Sequence, residues 1–445
     1  MESDRLISST EAPGASEKPL PQPSSSRRQR SGQIWSSLIV AGLSSLSMGF
    51  YYTGSYLIRL TQLSCPKWNR STAVYAESLF LGASCVFGPL RGYVIRRFSS
   101  KFVLLLVVFF LALGWGLCGV AVWFCSYGMG TDVLYIISYG ICLVVASELM
   151  YIQTISCILS GFPDRIGFSA AFPNVCVTVG GLALGQWFLQ LEGFYVKDLL
   201  SSEDVFLLTG VLCVLLNVPS AFCLKWNFAP YRNDNIKRWK TRDVLRDKRF
   251  WLLWWTRFSL LLPGWGLIGH QRDFLETIWR RPHSPIEALS ALILGSLTVG
   301  RIVWLLSDKI KQVNLWVFGG SLYSVTFAVM PLFMYYTGNW GVYAALVAFT
   351  LNTVALSIPK SLTVAMLGVM YEDYELAAHV SGFMTPATGL AGLLGPIIVD
   401  RLHSASGSYT LFLFISAGLS ASGLITLMIA SRLTTYMQKD SRSKK

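Results

Sequence analysis

Charge is what this sequence has least of. Only 14% of its 445 residues are Asp, Glu, Lys or Arg, against 53% hydrophobic, whereas a soluble chain carries about a quarter charged. Uncharged runs recur from end to end, which excludes a soluble globule with one anchor and points to a polytopic membrane protein. No Cys-x-x-Cys pair occurs and the four histidines are scattered, so no metal site is expected, nor any other cofactor. No phosphate loop is present, which argues against ATP-driven pumping, and nothing points to an enzyme. Secretory signals carry a short apolar core near the N-terminus. Here residues 1–33 are instead polar and rich in Ser, Pro and Arg, the composition of a disordered tail.

Six of the nine cysteines (Cys85, Cys118, Cys142, Cys157, Cys176 and Cys213) fall inside apolar runs, where a thiol is usually a small core residue. Cys65 and Cys125 are the pair that would reach an exterior or lumenal face. A disulfide between them is the less favoured reading.

A helix needs about 20 mainly apolar residues to cross the hydrocarbon core. Twelve segments qualify: 35–58, 73–93, 102–126, 133–158, 166–190, 205–224, 250–270, 287–307, 313–336, 342–370, 379–399 and 409–430. They are numbered spans 1 to 12 below. The expected plan is a tail (1–33), a six-helix bundle (34–224), a polar linker (225–249), a second bundle (250–430) and a C-tail (431–445), all-α throughout.

Charge sets the sides. With the N-terminus inside, the cytoplasmic loops and tails hold 26 Lys and Arg and the opposite loops seven. Cytoplasmic loops carry the excess, so both termini are expected in the cytoplasm. The net charge of +13 is then a topology signal, and nucleic-acid binding is not needed to explain it. The glycosylation pattern Asn69-Arg70-Ser71 falls in the first external loop, which fits. The linker carries nine Lys and Arg with three Asp and is expected to lie along anionic lipid, where each cation contributes about 1 kcal/mol. Glu2, Leu6 and Ile7 (ESDRLI) fit an acidic dileucine signal. The plasma membrane and an endolysosomal or vacuolar membrane are both open addresses.

A six-plus-six plan suggests internal repeats. The loop after span 2 reads GPLRGYVIRRFSSKFVLLL and the one after span 8 reads GRIVWLLSDKIKQVNLWVF. Each has a glycine near a span end, where small residues let helices pack closely, then a tight cationic turn and an apolar restart. Both resemble the signature loop of the major facilitator superfamily. The second copy keeps Gly300, Arg301, Asp308 and Lys309. The first has Gly88 and Arg97 but lacks the usual Asp, with Arg91 or Gly92 near its place.

GFPDRIGFSAAF (161–172), with Asp164 and Arg165 in its turn, is similar to the oxalate–formate antiporters. So is FWLLWWTRFSLLLPGWGLIGH (250–270). SIPKSLTVAMLG (357–368) and SGFMTPATGLAGLLGPIIVD (381–400) resemble spans 10 and 11 of that group and of the monocarboxylate transporters. Nodulin-like transporters share the first turn and a similar span 7. The resemblance covers about residues 35–430 and implies a two-bundle facilitator fold, alternating access, and an arginine in span 8 that binds substrate. Departures are plain: Tyr56 stands where monocarboxylate transporters carry a span-1 lysine, Leu297 where an acid often precedes the span-8 arginine, and span 11 has no lysine, though His379 stands at its start.

Each intramembrane polar residue has two readings. Arg301 is either a fork for a substrate carboxylate or a partner of Asp308, seven residues on. An arginine at mid-span costs about 2.5–3.5 kcal/mol on insertion scales and is usually functional. Lys360, after Pro359, is a second anion contact or an interfacial snorkel. Arg257 reads as a snorkelling residue. Arg59 is an interface anchor, or a phosphate ligand as its surroundings' resemblance to organophosphate exchangers implies. Glu148 carries a coupling proton or pairs permanently with a basic residue of the first half, such as Arg165 or Arg97. Tyr56, Asn352, Gln153 and Asn174 line a pocket or make helix–helix hydrogen bonds.

The expected function is alternating-access transport of a small organic anion, monocarboxylate-like, by proton symport or exchange. Arg301 would bind the carboxylate with Lys360 assisting, and the loops at 88–101 and 300–312 would close the cytoplasmic side. The protein is expected to be monomeric, with lipid and possible protons as its other partners. The alternatives are a nodulin-like, amino-acid or organophosphate carrier, or a facilitator-fold sensor without flux.

Overall fold

The structure, a computed structural model, describes residues 24–68, 71–126, 130–162, 166–196, 200–223, 241–271, 274–275, 295–302, 312–335, 339–371 and 374–443. The described secondary structure is helical throughout. Lipid offers no partner to a free backbone amide or carbonyl, and a helix satisfies both within itself. Among the described residues, six helices are long and apolar enough to cross a membrane: Thr72–Arg91, Ser100–Ser126, Thr131–Ile158, Ser202–Ser220, Val380–Ser406 and Thr410–Thr435.

Spans 3, 6, 9 and 12 lie outermost. Phe109 and Val120, Leu215 and Phe222, Phe318 and Leu332, and Phe414 and Ile425 all point outward, exposed. A soluble protein rarely shows so much contiguous apolar surface, and this is the face for lipid. Inside each half, span 3 packs on span 6 and span 9 on span 10, while span 7 binds spans 11 and 12. The halves meet along two helix pairs, span 2 with span 11 and span 5 with span 10.

Glycine sets the distance at the closest of these crossings. A Cβ on Gly382 of span 11 would stand 2.7 Å from the carbonyl oxygen of Gly88 in span 2, and one on Gly88 would stand 2.4 Å from Thr385 Cβ. Within the first half, a Cβ on Gly49 would lie 2.1 Å from the Gly180 carbonyl carbon, so spans 1 and 5 touch backbone to backbone. Gly300 lies against Val354 and Ser357 of span 10 in the same manner.

Two spans are interrupted. Span 1 is helical over Ser24–Ser47, tightens to a 3-10 turn at Met48–Tyr52, and resumes at Gly54–Ser64. Span 4 holds one π-helical turn, Ser138–Cys142, between Thr131–Ile137 and Leu143–Gly161. Such turns are rare and cluster at functional sites.

The structure corrects several expectations. Helix begins at Ser24, inside the segment read as an unstructured tail, and the last helix runs on to Ser443. In the linker, Thr241–Arg246 forms a short helix and span 7 starts at Lys248, where the Asp247 side chain accepts from the Arg249 amide at 2.9 Å and caps it. Cys65 and Cys125 are joined as a disulfide, with Cα atoms 5.8 Å apart. The broken span 1 carries the chain to Ser64 before it turns, which brings Cys65 beside the end of span 3.

Candidate functional site

The polar residues of the membrane interior gather where the halves meet. Span 2 brings Arg91, a residue counted above as a loop cation but 4% exposed here. Its guanidinium donates to Glu148 Oε2 of span 4 at 2.7 Å. It also donates to Ser381 Oγ of span 11 at 3.3 Å and lies over the Tyr151 ring, 5.3 Å from its centre. Glu148 therefore holds an ion pair with a basic residue of the first half, Arg91 rather than Arg97. Arg165 lies outside the described residues, and Arg97 is exposed and donates to Tyr93 at 2.7 Å.

Arg257 of span 7 does not snorkel. It is buried, 7% exposed, and donates through Nε to Thr388 Oγ1 of span 11 at 2.8 Å. The Arg257 side chain makes no other hydrogen bond and no ion pair among the described residues. Arg91, Glu148, Arg257, Thr385 and Thr388 line one cavity with Tyr51, Tyr151, Asn174, Ser147, Met48 and Val177. Its charged walls are two guanidiniums and one carboxylate, which leaves one positive charge uncompensated. The cavity encloses only about 30 Å³, room for about two waters.

Arg301 reaches elsewhere among the described residues. It is 1% exposed, is not part of the cavity wall, and reaches from span 8 into the other half. There it donates to the Asn174 carbonyl of span 5 and the Tyr52 hydroxyl of span 1, with its guanidinium 5.2 Å from the centre of the Tyr52 ring. Trp265 of span 7 stacks on the opposite part of this seam, 5.9 Å from Tyr52 and 5.8 Å from Tyr51. Arg301 thus ties the two halves together at the break in span 1. Asp308, its other expected partner, lies outside the described residues.

The remaining candidates divide. Asn352 donates to Thr326 Oγ1 at 3.0 Å, and Gln153 to Ser100 Oγ at 3.1 Å; both are helix–helix bonds rather than cavity groups. Asn174 does line the cavity and donates to Tyr151 at 3.2 Å. Tyr56 packs against Gly185 of span 5. The side chains of Lys360, Arg59 and His379, together with Asn69, Asp164 and the Glu2-Leu6-Ile7 signal, lie outside the described residues.

Four charged residues escaped the sequence reading. Arg91 hid among loop cations, and Arg249 with Asp247 among linker charges. In the structure Arg249 pairs with Asp247 at 2.6 Å and lies 5.3 Å from the Tyr371 ring centre, joining the start of span 7 to the end of span 10. Glu77 of span 2 is also buried. Its signal was present, since an acid six residues into a span is as unusual as Glu148.

No protein-family model matches the chain. In sequence it is 22% identical over 301 residues to YhjX of Escherichia coli (strain K12), an uncharacterized MFS-type transporter, covering 66% of this chain and 69% of that one. In structure it is similar to a bacterial homologue of the iron transporter ferroportin in an outward-facing state, with a TM-score of 0.68, 14% identity, and 90% and 99% of the two chains covered. It is similar also to the Escherichia coli fucose:proton symporter FucP (TM-score 0.63, 13% identity, 89% and 99% covered). The third is the proton:xylose symporter XylE (TM-score 0.67, 12% identity, 91% and 96% covered). These likenesses give the chain the major facilitator fold, and in sequence it is similar to a transporter of that type.

Proposed function

We propose that the protein carries a small organic anion across its membrane by alternating access, and that Arg257 is the group that binds the anion's carboxylate. The single observation behind this is a buried guanidinium with one hydrogen bond, to Thr388, and no acid of its own. A buried charge is stable only when it is paired, and the fork of an arginine matches a carboxylate through two parallel hydrogen bonds. Glu148 is occupied by Arg91 at 2.7 Å, so the wall has one positive charge to spare, and a monoanion neutralises it. This moves the binding role from Arg301, which the sequence singled out, to Arg257.

A cavity of about 30 Å³ is too small for even a three-carbon acid. Binding therefore requires the halves to part along the span 2–span 11 and span 5–span 10 seams. Arg301 is the strongest polar bridge on that path, and its bonds to Tyr52 and Asn174 would break and reform in each cycle. The proposed orientation puts both termini in the cytoplasm, on the charge argument given above.

The test is a thermal-shift and proteoliposome-uptake panel of formate, pyruvate, oxalate, amino acids, sugar phosphates, fucose and xylose. Stabilisation and uptake confined to the carboxylates are expected. Stabilisation by the neutral sugars alone would reject the anion reading, and binding without flux would make the protein a sensor.

A further inference from the structure

Glu77 lies six residues into the span 2 helix, Ser71–Arg97, on the side of the molecule away from the basic loops. It is 8% exposed. Its carboxyl rests on Gly54, so close that a Cβ there would stand 2.1 Å from the carboxyl carbon and from Oε2. Among the described residues no cation pairs with it and no donor bonds to it. Gly54 of span 1 lies against it, and the phenols of Tyr135 and Tyr139 of span 4 are within electrostatic reach of it. Lys67, in the loop beyond span 1, donates to the Ser126 carbonyl at 2.8 Å and is engaged there. The Arg59 side chain lies outside the described residues.

The two buried acids of the first half thus stand in opposite situations. Glu148 has an arginine at 2.7 Å. Among the described residues Glu77 has no counter-ion, and in a buried place an unpaired carboxylate is costly where the neutral acid is not. Removing the proton requires water or a cation to reach it, hence a change of packing around it.

That packing is the break in span 1. Gly54 begins the second segment of the span, two residues after Tyr52, which accepts from Arg301, and three after Tyr51, which lines the cavity. Tyr139, one of those phenols, donates to the Phe50 carbonyl inside the 3-10 turn at 3.3 Å. The carboxyl therefore rests against the segment that follows the turn and lies within electrostatic reach of a phenol bonded to the turn itself.

We propose that Glu77 is the proton-binding site of the transport cycle and that it acts on the span 1 break. In the packing seen here the carboxyl is neutral and Gly54 rests on it. When the halves part and water reaches Glu77, its O–H bond breaks and the proton passes to that water. The carboxylate left behind holds the Gly54 segment away until it is protonated again. This rests on the transport reading but not on the identity of the solute.

Two measurements test it. Infrared titration of the protein in lipid is expected to show a protonated-carboxyl band that changes between about pH 5 and 9. The band should be lost in Glu77→Gln and kept in Glu148→Gln and Glu77→Asp. A band unchanged in Glu77→Gln overturns the proposal, whatever is transported. In proteoliposomes loaded for pyruvate, Glu77→Gln is expected to reduce uptake driven by a pH gradient at least about tenfold while leaving pyruvate counterflow within about threefold. Equal loss of both modes in a folded variant also overturns it. Loss of the band with no pyruvate flux in the wild type instead refutes the anion reading and leaves the proton site standing.

Discussion

Replacing Arg257 by alanine tests the binding site most directly. The guanidinium is buried, its Nε is held by Thr388 at 2.8 Å, and the residue lines the cavity. A hydrogen bond to a charged group contributes about 1.5–3 kcal/mol. Losing that interaction with the anion weakens half-saturation by about 10- to 150-fold, at about 1.4 kcal/mol per factor of ten. Arg257→Lys keeps the charge but loses the fork, and should fall between the wild type and alanine. Thr388→Val leaves the arginine intact but without that hydrogen bond and should weaken binding by a smaller factor. The assay is initial uptake against anion concentration in proteoliposomes, with protein quantity and thermal midpoint measured for each variant. The reasoning fails if Arg257→Ala is folded and transports with wild-type half-saturation.

Four further outcomes are expected. Glu148→Gln leaves Arg91 buried without its acid and should destabilise the protein by about 3–5 kcal/mol, read as a lowered thermal midpoint, whereas replacing both partners by apolar residues should recover much of it. Gly54→Ala drives a Cβ onto the Glu77 carboxyl and should cut transport sharply, with Glu77→Ala in the same chain restoring part of the folding loss; no coupling between the two sites in a double-mutant cycle would contradict the contact. Cys65 and Cys125 close a loop with a sequence separation of 60, so Cys65→Ser should lose about 2–4 kcal/mol, and thiol labelling under denaturing conditions should count two fewer free cysteines in the unreduced wild type than after reduction. Tyr52→Phe removes the hydroxyl that Arg301 reaches and should shift the population toward parted halves, measured as faster modification of a cysteine placed at Thr385.

Much of the fold could be read from the sequence because lipid imposes one rule everywhere. Uncharged stretches of helix length mark spans, and the basic loops mark a side, without any knowledge of neighbours. The breaks were harder. Span 1 reads as one apolar run, but Gly49 and Gly180 let two backbones touch, and that contact turns the chain at Met48–Tyr52.

The site was less legible. Arg301 was conspicuous because it stands alone in an apolar stretch, and it proved to be a bridge between halves. Arg257 looked like a residue near a span end and proved to be a buried cation lining the cavity. Arg91 looked like loop charge and proved to be the partner of Glu148, 57 residues away.

The sequence by itself determined that this chain crosses a membrane many times, since hydropathy acts on each segment independently. Which arginine is paired, which is spare and which buried acid has no counter-ion was decided only by the tertiary structure. Those properties depend on what faces a side chain from another helix, and in a membrane interior, where an unpaired charge is costly, that neighbour settles whether a residue packs, binds or carries a proton.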